Sequence, residues 1–325
     1  MAGGRERILR RRIKSIQSTQ KITRAQELIA ASRIARAQAH VAAAQPYSEA
    51  ITQVVRHLAS GGGASGSALL DAREEIRKVG LIVVAGDRGL CGAYNSSVIR
   101  AAERAVVEQE ALGREYELVL VGRKVDSYFR FRGHNIDAGF SGFSQQPTYE
   151  DARQVGAAAT AMFLAGDIDL VEIVFTRFLS AGTQIVTRET LMPLVPDEIE
   201  ADPSSAGDHT LEASYEFEPS PEAILDLLLP RYVDSRVYAA LLNAAASEHA
   251  ARQRAMKSAT DNAEDLITSL TRGMNRARQD AITTEIMEIV SGAEALRKSS
   301  REDLLADTIE ARDPDLFGDR GASNN

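Results

Sequence analysis

Apolar positions near the start of the chain step by threes and fours. Leu9, Ile13 and Ile16 lie at helical spacing, and Ile22 and Ile29 continue at a step of seven, a broken stripe of the coiled-coil kind. No glycine or proline occurs between Gly4 and Pro46, and residues 25–44 are rich in alanine, which favours helix and lets a neighbouring helix come close. The pattern predicts one helix over residues 3–58. Pro46 should bend it rather than end it, because helical spacing resumes in YSEAITQVVRHLA. The first helical region is therefore 1–60, and Gly61, Gly62 and Gly63 open a flexible linker over 61–75.

From residue 76 the period changes. VGLIVVAGD (79–87) reads as a short apolar strand ending in a glycine turn, and NSSVIRAAERAVVEQEALG as a helix with Asn95 or Ser96 as its N-cap. YELVLVG (116–122) is a second strand, RKVDSYFRFRG a short helix, and YEDARQVGAAATAMFLAG a longer one. DLVEIVFTRFL (169–179) and TQIVTRETLMPLVP supply a third and a fourth strand. Strand–helix alternation of this kind predicts a parallel-rich sheet flanked by helices, a Rossmann-like α/β domain over 76–194.

Residues 195–220 are acidic, carry Pro203, Gly207 and Pro219, and read as a linker or ragged edge strand. Helix resumes at Pro221, a residue suited to the first helical position, and is expected to run to Arg297 with a kink at Pro230. Ile267, Leu270, Met274, Ile282, Ile286 and Ile289 form its apolar stripe, and 298–325 read as a polar, disordered tail. A helix rises about 1.5 Å per residue, whereas a domain of about 120 residues has a radius of gyration of about 14 Å. So small a domain could not cover two such helices, which should bury their stripes on each other. The expected fold class is α/β with long helices: an antiparallel coiled coil of the N-terminal helix (1–60) and C-terminal helix (221–297), with the α/β domain inserted. A rod on a small base is more often a mechanical or spacing device than an active site.

Charge adds a partner to this picture. The formal net charge of −8 hides an asymmetry: residues 1–40 hold ten Lys and Arg against Glu6 and Glu27, while 195–226 hold ten Asp and Glu and no Lys or Arg. A basic helix calls for an anionic partner, which leaves nucleic acid, lipid or an acidic protein surface open. No aromatic residue interleaves Arg10, Arg11, Arg12 and Lys14 as a nucleic-acid reader would. No apolar run approaches the roughly 18–20 residues of a membrane span, so no inserted segment is expected. Aromatics are 5% of the chain and Trp is absent, so packing rests on Ala, Leu, Ile and Val. The single cysteine, Cys91, excludes an internal disulfide and fits a reducing compartment.

Catalytic chemistry is sparse. No glycine is followed by lysine, so no Walker A loop exists, and His40, His57, His134, His209 and His249 form no metal-spaced pair. No G-x-S-x-G occurs. The loop GDRGLCGAYN (86–95) follows a strand, as phosphate loops do, but Gly86, Gly89 and Gly92 are spaced by threes, unlike a dinucleotide fingerprint. A nucleotide-dependent enzyme on the α/β domain stays open beside a tight structural turn. No cofactor and no metal is expected.

Three stretches in order resemble the γ subunit of F-type ATP synthases: MAGGRERILRRRIKSIQSTQKITRAQELIAASRIARAQ, DRGLCGAYN, and AMKSATDNAEDLITSLTRGMNRARQDAITTEIMEIVSGAEAL (255–296). The resemblance spans residues 1–296. It implies that the paired helices form the central stalk inside an α3β3 hexamer, with the α/β domain touching the ε subunit and the ring of c subunits. It further implies a rotor without a catalytic site of its own, peripheral to the cytoplasmic face of the cell membrane, whose basic helix meets acidic lever loops of β rather than nucleic acid. Gln279, Thr283 and Glu285 match polar residues that meet the stator in the family, Arg252 a basic position on the same helix, and Lys21 the QKIT segment. Arg88 and Cys91 lie in the loop that faces the base of β. Gln26 and Leu28 stand where the family often has Met, which puts that contact in doubt.

Overall fold

The computed structural model describes residues 2–58, 67, 69–73, 75–194 and 220–310. Along them run α1 (Ala2–Leu58), β1 (Lys78–Val84), α2 (Tyr94–Ala111), β2 (Glu115–Val121), α3 (Arg123–Phe131), β3 (Ala138–Phe140), α4 (Tyr149–Ala165), β4 (Leu170–Phe178), β5 (Gln184–Met192) and α5 (Pro221–Glu310). Pro46 and Pro230 lie inside α1 and α5 and end neither helix. Two compact units emerge, Lys21–Asp261 and the pair of segments Met1–Gln20 with Asn262–Asn325.

The larger unit is built on a five-stranded sheet of order β3-β2-β1-β4-β5. β1 pairs in parallel with β2 and β4, β2 in parallel with β3, and β5 closes the edge antiparallel to β4. The three-residue β3 has no counterpart in the sequence expectation, because so short a strand carries no alternation to read. β1 is buried on both faces from Val79 to Val84, as a central parallel strand must be, which is why it reads as a continuous apolar run.

One face packs Leu81, Val83, Leu118 and Leu120 against Val98, Ala102 and Val106 of α2 and Val125 and Phe129 of α3. The other packs Ile82, Val84, Ile173 and Phe175 against Ala152, Val155 and Phe163 of α4, Ile51, Val55 and Leu58 of α1, and Leu225, Leu229, Tyr232 and Val237 of α5. The long helices thus help to build the core on this face of the sheet. Gly156 of α4 permits this: a Cβ there would lie 2.5 Å from the Asp234 carboxylate of α5.

Within this unit α1 and α5 run antiparallel. Thr23 and Thr260 share a buried hydrogen bond of 2.8 Å, while residues 51–58 share a cluster with residues 225–237. The covered face of α1 steps by threes, fours and multiples of seven through Thr23, Ala30, Ile34, Ala37, Ile51, Val55 and Leu58. Ile22 and Ile29, assigned to the stripe from sequence, are 61% and 47% exposed. The seam passes through Thr and Ala at those levels, because small side chains let two backbones approach, and such residues leave no hydrophobic signal.

The expected flexible linker is corrected over its second half. Leu69 and Leu70 are buried, Leu194 N–H donates to the Leu69 carbonyl at 2.9 Å, and Arg73 bridges Asp169 and the Phe163 carbonyl. Residues 59–66 and the acidic stretch 195–219 lie outside the described residues.

In the smaller unit, Leu9, Ile13 and Ile16 of α1 are half-buried, as are Ile267, Leu270 and Met274 of α5, with Ala263 buried before them and Ala277 and Ala281 after them. The expected stripe fails at Ile282, Ile286 and Ile289, which are 50%, 54% and 72% exposed. Every described side chain from Ile282 to Arg301 is exposed. α5 continues to Glu310, so the boundary expected at Arg297 falls inside it, and the remainder of the expected tail, 311–325, lies outside the described residues.

Candidate functional site

In the larger unit the functional candidates gather at the loop between β1 and α2. The chain leaves β1 at Ala85 and must turn toward α2. Asp87 holds the turn, its carboxylate accepting from the backbone amides of Arg123 (3.1 Å), Gly142 (2.9 Å) and Ser144 (3.1 Å). Asn95 braces the other side. Its side-chain oxygen accepts from Gly86 N–H at 2.8 Å and its amide donates to the Arg88 carbonyl at 3.1 Å. Asn95 is therefore not the N-cap of α2, and neither is Ser96, whose hydroxyl donates to the Ala93 carbonyl. The N-cap is Ala93, which offers no side-chain acceptor. The side chain best suited to capping is spent on the loop.

The turn pushes Arg88 and Leu90 outward. Leu90 is 69% exposed at φ +61°, a left-handed conformation that is costly for a residue with a Cβ. Cys91 points inward, 1% exposed, and burial pushes its thiol pKa up, so it is a packing residue rather than a nucleophile.

Beneath the loop α5 presents a buried ion pair. Glu248 and Arg252 are 0% and 6% exposed and meet at 2.6 Å one helical turn apart. Arg252 also donates to the Gly89 carbonyl at 3.3 Å, and Gln145 donates to Glu248 at 3.3 Å. Arg33 of α1 donates to the Gln145 side chain, and His249 Nε2 lies 3.0 Å from the Gln145 carbonyl. Burial holds the His249 pKa below its ordinary value. The network ties α1, α5 and two loops of the sheet. It also decides the question of a phosphate cradle at Gly86. A Cβ there would lie 3.0 Å from the Glu248 carboxyl carbon and from the Asn95 side-chain oxygen, so protein atoms already fill the approach a phosphate needs.

Of the sequence-named residues, Arg88 and Arg252 line one cleft of about 420 Å³ with Gln26, Arg33, Asp87, Lys124 and His249. Cys91 does not line it, and neither does Lys21, which is exposed on α1. Gln279, Thr283 and Glu285 belong to the smaller unit, where all three are exposed. Glu248, Gln145 and His249 were missed from sequence. A signal existed: Glu248 and Arg252 are opposite charges four apart in the small-residue run AAASEHAARQRA, where a fully covered helix face leaves charges no solvent. Among the described residues no helix is long and apolar enough to cross a membrane, and no group of His, Cys, Asp or Glu is placed to hold a metal.

The chain matches the family described as ATP synthase over residues 5–296. It is 51% identical over 297 residues to a protein named ATP synthase gamma chain from Parafrankia sp. (strain EAN1pec), covering 90% of this chain and 98% of the relative. It is 47% identical over 310 residues to the ATP synthase gamma chain of Mycolicibacterium smegmatis, with 90% and 98% covered. Among solved structures, a chain of the Euglena gracilis mitochondrial ATP synthase (OSCP/F1/c-ring, rotational state 3) superposes with a TM-score of 0.61 at 18% identity, covering 92% of this chain and 96% of that one. A chain of the Tetrahymena thermophila mitochondrial ATP synthase central stalk/c-ring superposes with a TM-score of 0.57 at 23% identity, covering 73% and 99%. At these identities the superpositions speak to the fold.

Proposed function

We propose, from the premise that the chain belongs to the ATP synthase gamma-chain family, that it is the central rotor of the F1 sector and performs no bond chemistry itself. Proton flow through a ring of c subunits turns it. Its paired helices stand inside an α3β3 hexamer, and the sheet-bearing unit meets ε and the c-ring. The complex sits peripherally on the cytoplasmic face of the cell membrane.

The mechanism is differential contact. A β subunit changes nucleotide affinity only insofar as the rotor touches its conformers with different free energies, so a rotor that presents a different side to each of three β subunits biases each differently. The observation that carries this reading is the uncovered length of α5. From Ile282 to Arg301 the described side chains, apolar and polar together and including Thr283 and Glu285, are exposed, and no described residue covers them. Such a surface is built to be covered by something else. The exposed Arg88 and the Arg88–Arg252 cleft, lined by four basic side chains against Asp87, suit acidic lever loops of β. Lys21 and Gln279 are further contact candidates. The absence of catalysis is supported by the filled approach to Gly86 and the buried thiol of Cys91.

The test places Gln279→Ala and Glu285→Ala together in the assembled complex. Coupled ATP synthesis in membranes should fall severalfold while the melting of the isolated chain stays the same, since both side chains are exposed. Unchanged synthesis would remove these contacts from the mechanism, and robust ATP hydrolysis by the pure chain would overturn the rotor reading.

A further inference from the structure

A cavity of about 940 Å³ opens inside the larger unit, bounded by α1, α4, the β4–β5 pair and α5. It shares no lining residue with the cleft at Arg88. Ala44 of α1 and Ala239 and Ala240 of α5 line it, and their short side chains leave the space open. The volume is that of a pocket which encloses a small organic molecule.

The walls differ in chemistry. Tyr47 of α1, Tyr149 of α4 and Tyr238 of α5 supply rings from three helices, Tyr149 and Tyr238 meeting edge to face with centroids 5.7 Å apart, and Phe175 and Phe178 of β4 add two more. Most charges of the lining already have partners. Arg177 and Arg236 share Glu189, Arg153 pairs with Glu150 at 2.9 Å, and Glu49 accepts from Gln45 at 2.7 Å. Arg231 is exposed and so keeps its hydration.

Two neighbours on α5 stand apart. Asp234 lines the cavity half-buried, and among the described residues nothing hydrogen-bonds or ion-pairs with its carboxylate, one oxygen of which packs on Gly156. Ser235 is 5% exposed, lines the same cavity, and has no hydrogen-bond partner for its hydroxyl among the described residues. Desolvation pushes the Asp234 pKa up to about 6, the mark of a carboxylate that lacks compensation. A carboxylate withdrawn from water near the faces of three tyrosines is a setting that a cation relieves, since both the charge and the ring quadrupoles attract it.

We propose that this cavity binds an organic cation with an aromatic or cyclic apolar body. Its ammonium pairs with Asp234 and donates to the Ser235 hydroxyl, and its body lies among Tyr47, Tyr149 and Tyr238. Because α1 and α5 both line the cavity, an occupant bears on how the long helices seat against the sheet. The proposal goes beyond the rotor reading and does not rest on it.

The test uses the full chain and three probes that share an indole ring and differ in charge: tryptamine, a cation; tryptophol, which is neutral; and indole-3-propionate, an anion. The chain contains no Trp, so indole emission reports the probe alone, and its anisotropy gives the dissociation constant. Saturable binding of tryptamine is expected, at least about tenfold tighter than tryptophol. Lowering the pH from about 7 to about 5 should weaken tryptamine by up to about tenfold, because Asp234 then becomes mostly protonated. Asp234→Asn removes a desolvated charge and should fold. It should bring tryptamine to the level of tryptophol and abolish the pH dependence. Equal binding of tryptamine and tryptophol in the parent chain would reduce the cavity to an apolar hollow and overturn the proposal. Preference for indole-3-propionate would assign the charge selection to Arg231 and overturn it as well. So would the absence of saturable binding, or tryptamine binding that survives Asp234→Asn.

Discussion

The two compact units use the same pair of helices in opposite ways. Between Lys21 and Asp261, α1 and α5 are parts of a core: Val55, Leu58, Leu225 and Leu229 are fully buried, and even an ion pair is enclosed. In the unit made of Met1–Gln20 and Asn262–Asn325, the described side chains are buried only at Ala263, Ala277 and Ala281, and past Ala281 every described side chain is exposed. The first arrangement buys stability. The second leaves apolar surface to be buried elsewhere, and its own stability depends on a narrow seam. A helix pair can thus be an interior at one level and an interface at another, with no change in backbone conformation to announce the difference.

The largest expected effect tests the enclosed unit. Glu248→Ala leaves Arg252 charged and without its carboxylate where it is 6% exposed, and should cost about 3–5 kcal/mol in urea unfolding of the isolated chain. Replacing the pair together, Glu248→Leu with Arg252→Met, should recover most of that loss, because the penalty belongs to the stranded charge. If the single change is as mild as a surface substitution, the polar network does not hold the larger unit together and the contrast collapses.

A smaller effect separates the two parts of α5. Met274 and Ile282 both belong to the stripe expected from sequence, yet Met274 is half-buried and Ile282 is 50% exposed. Met274→Asp should cost about 1–3 kcal/mol, seen as faster hydrogen exchange around residues 267–281. Ile282→Asp should stay within about 0.5 kcal/mol in the isolated chain. Equal effects would mean that the seam extends past Ala281.

The smallest effect is a pH dependence that belongs to the larger unit. Desolvation pushes the Asp234 pKa up from 3.8 to about 6. A folded-state pKa above the unfolded one means that stability is full below about pH 4 and declines as pH rises through 6, where the carboxylate must ionise against α4. Asp234→Asn should abolish that decline and gain on the order of 1 kcal/mol at pH 7, a figure reduced from the full shift because the group is half solvated. Parallel stability–pH curves for the two proteins between pH 4 and 7 would show that Asp234 carries none of it.

Local chemistry made much of this legible. Periodicity, turn residues and length placed both long helices and the strands β1, β2, β4 and β5, because those patterns are properties of a segment and of the water around it. The β1–α2 loop was legible in the same way as a strand-to-helix turn, whereas Arg88 and Cys91 were named as contact candidates through the family resemblance. Three things depended on what lies across space. The seam of α1 shifted from Ile22 and Ile29 to Thr23 and Ala30, since a close helix contact selects for small side chains and so erases its own hydrophobic signature. Asn95 and Glu248 became the filling of a crevice because residues far apart in the chain converge on Gly86. The stripe of α5 divided at Ala281, because an isoleucine's pattern states that it seeks cover, and only the position of a neighbour decides whether it finds it within the same chain.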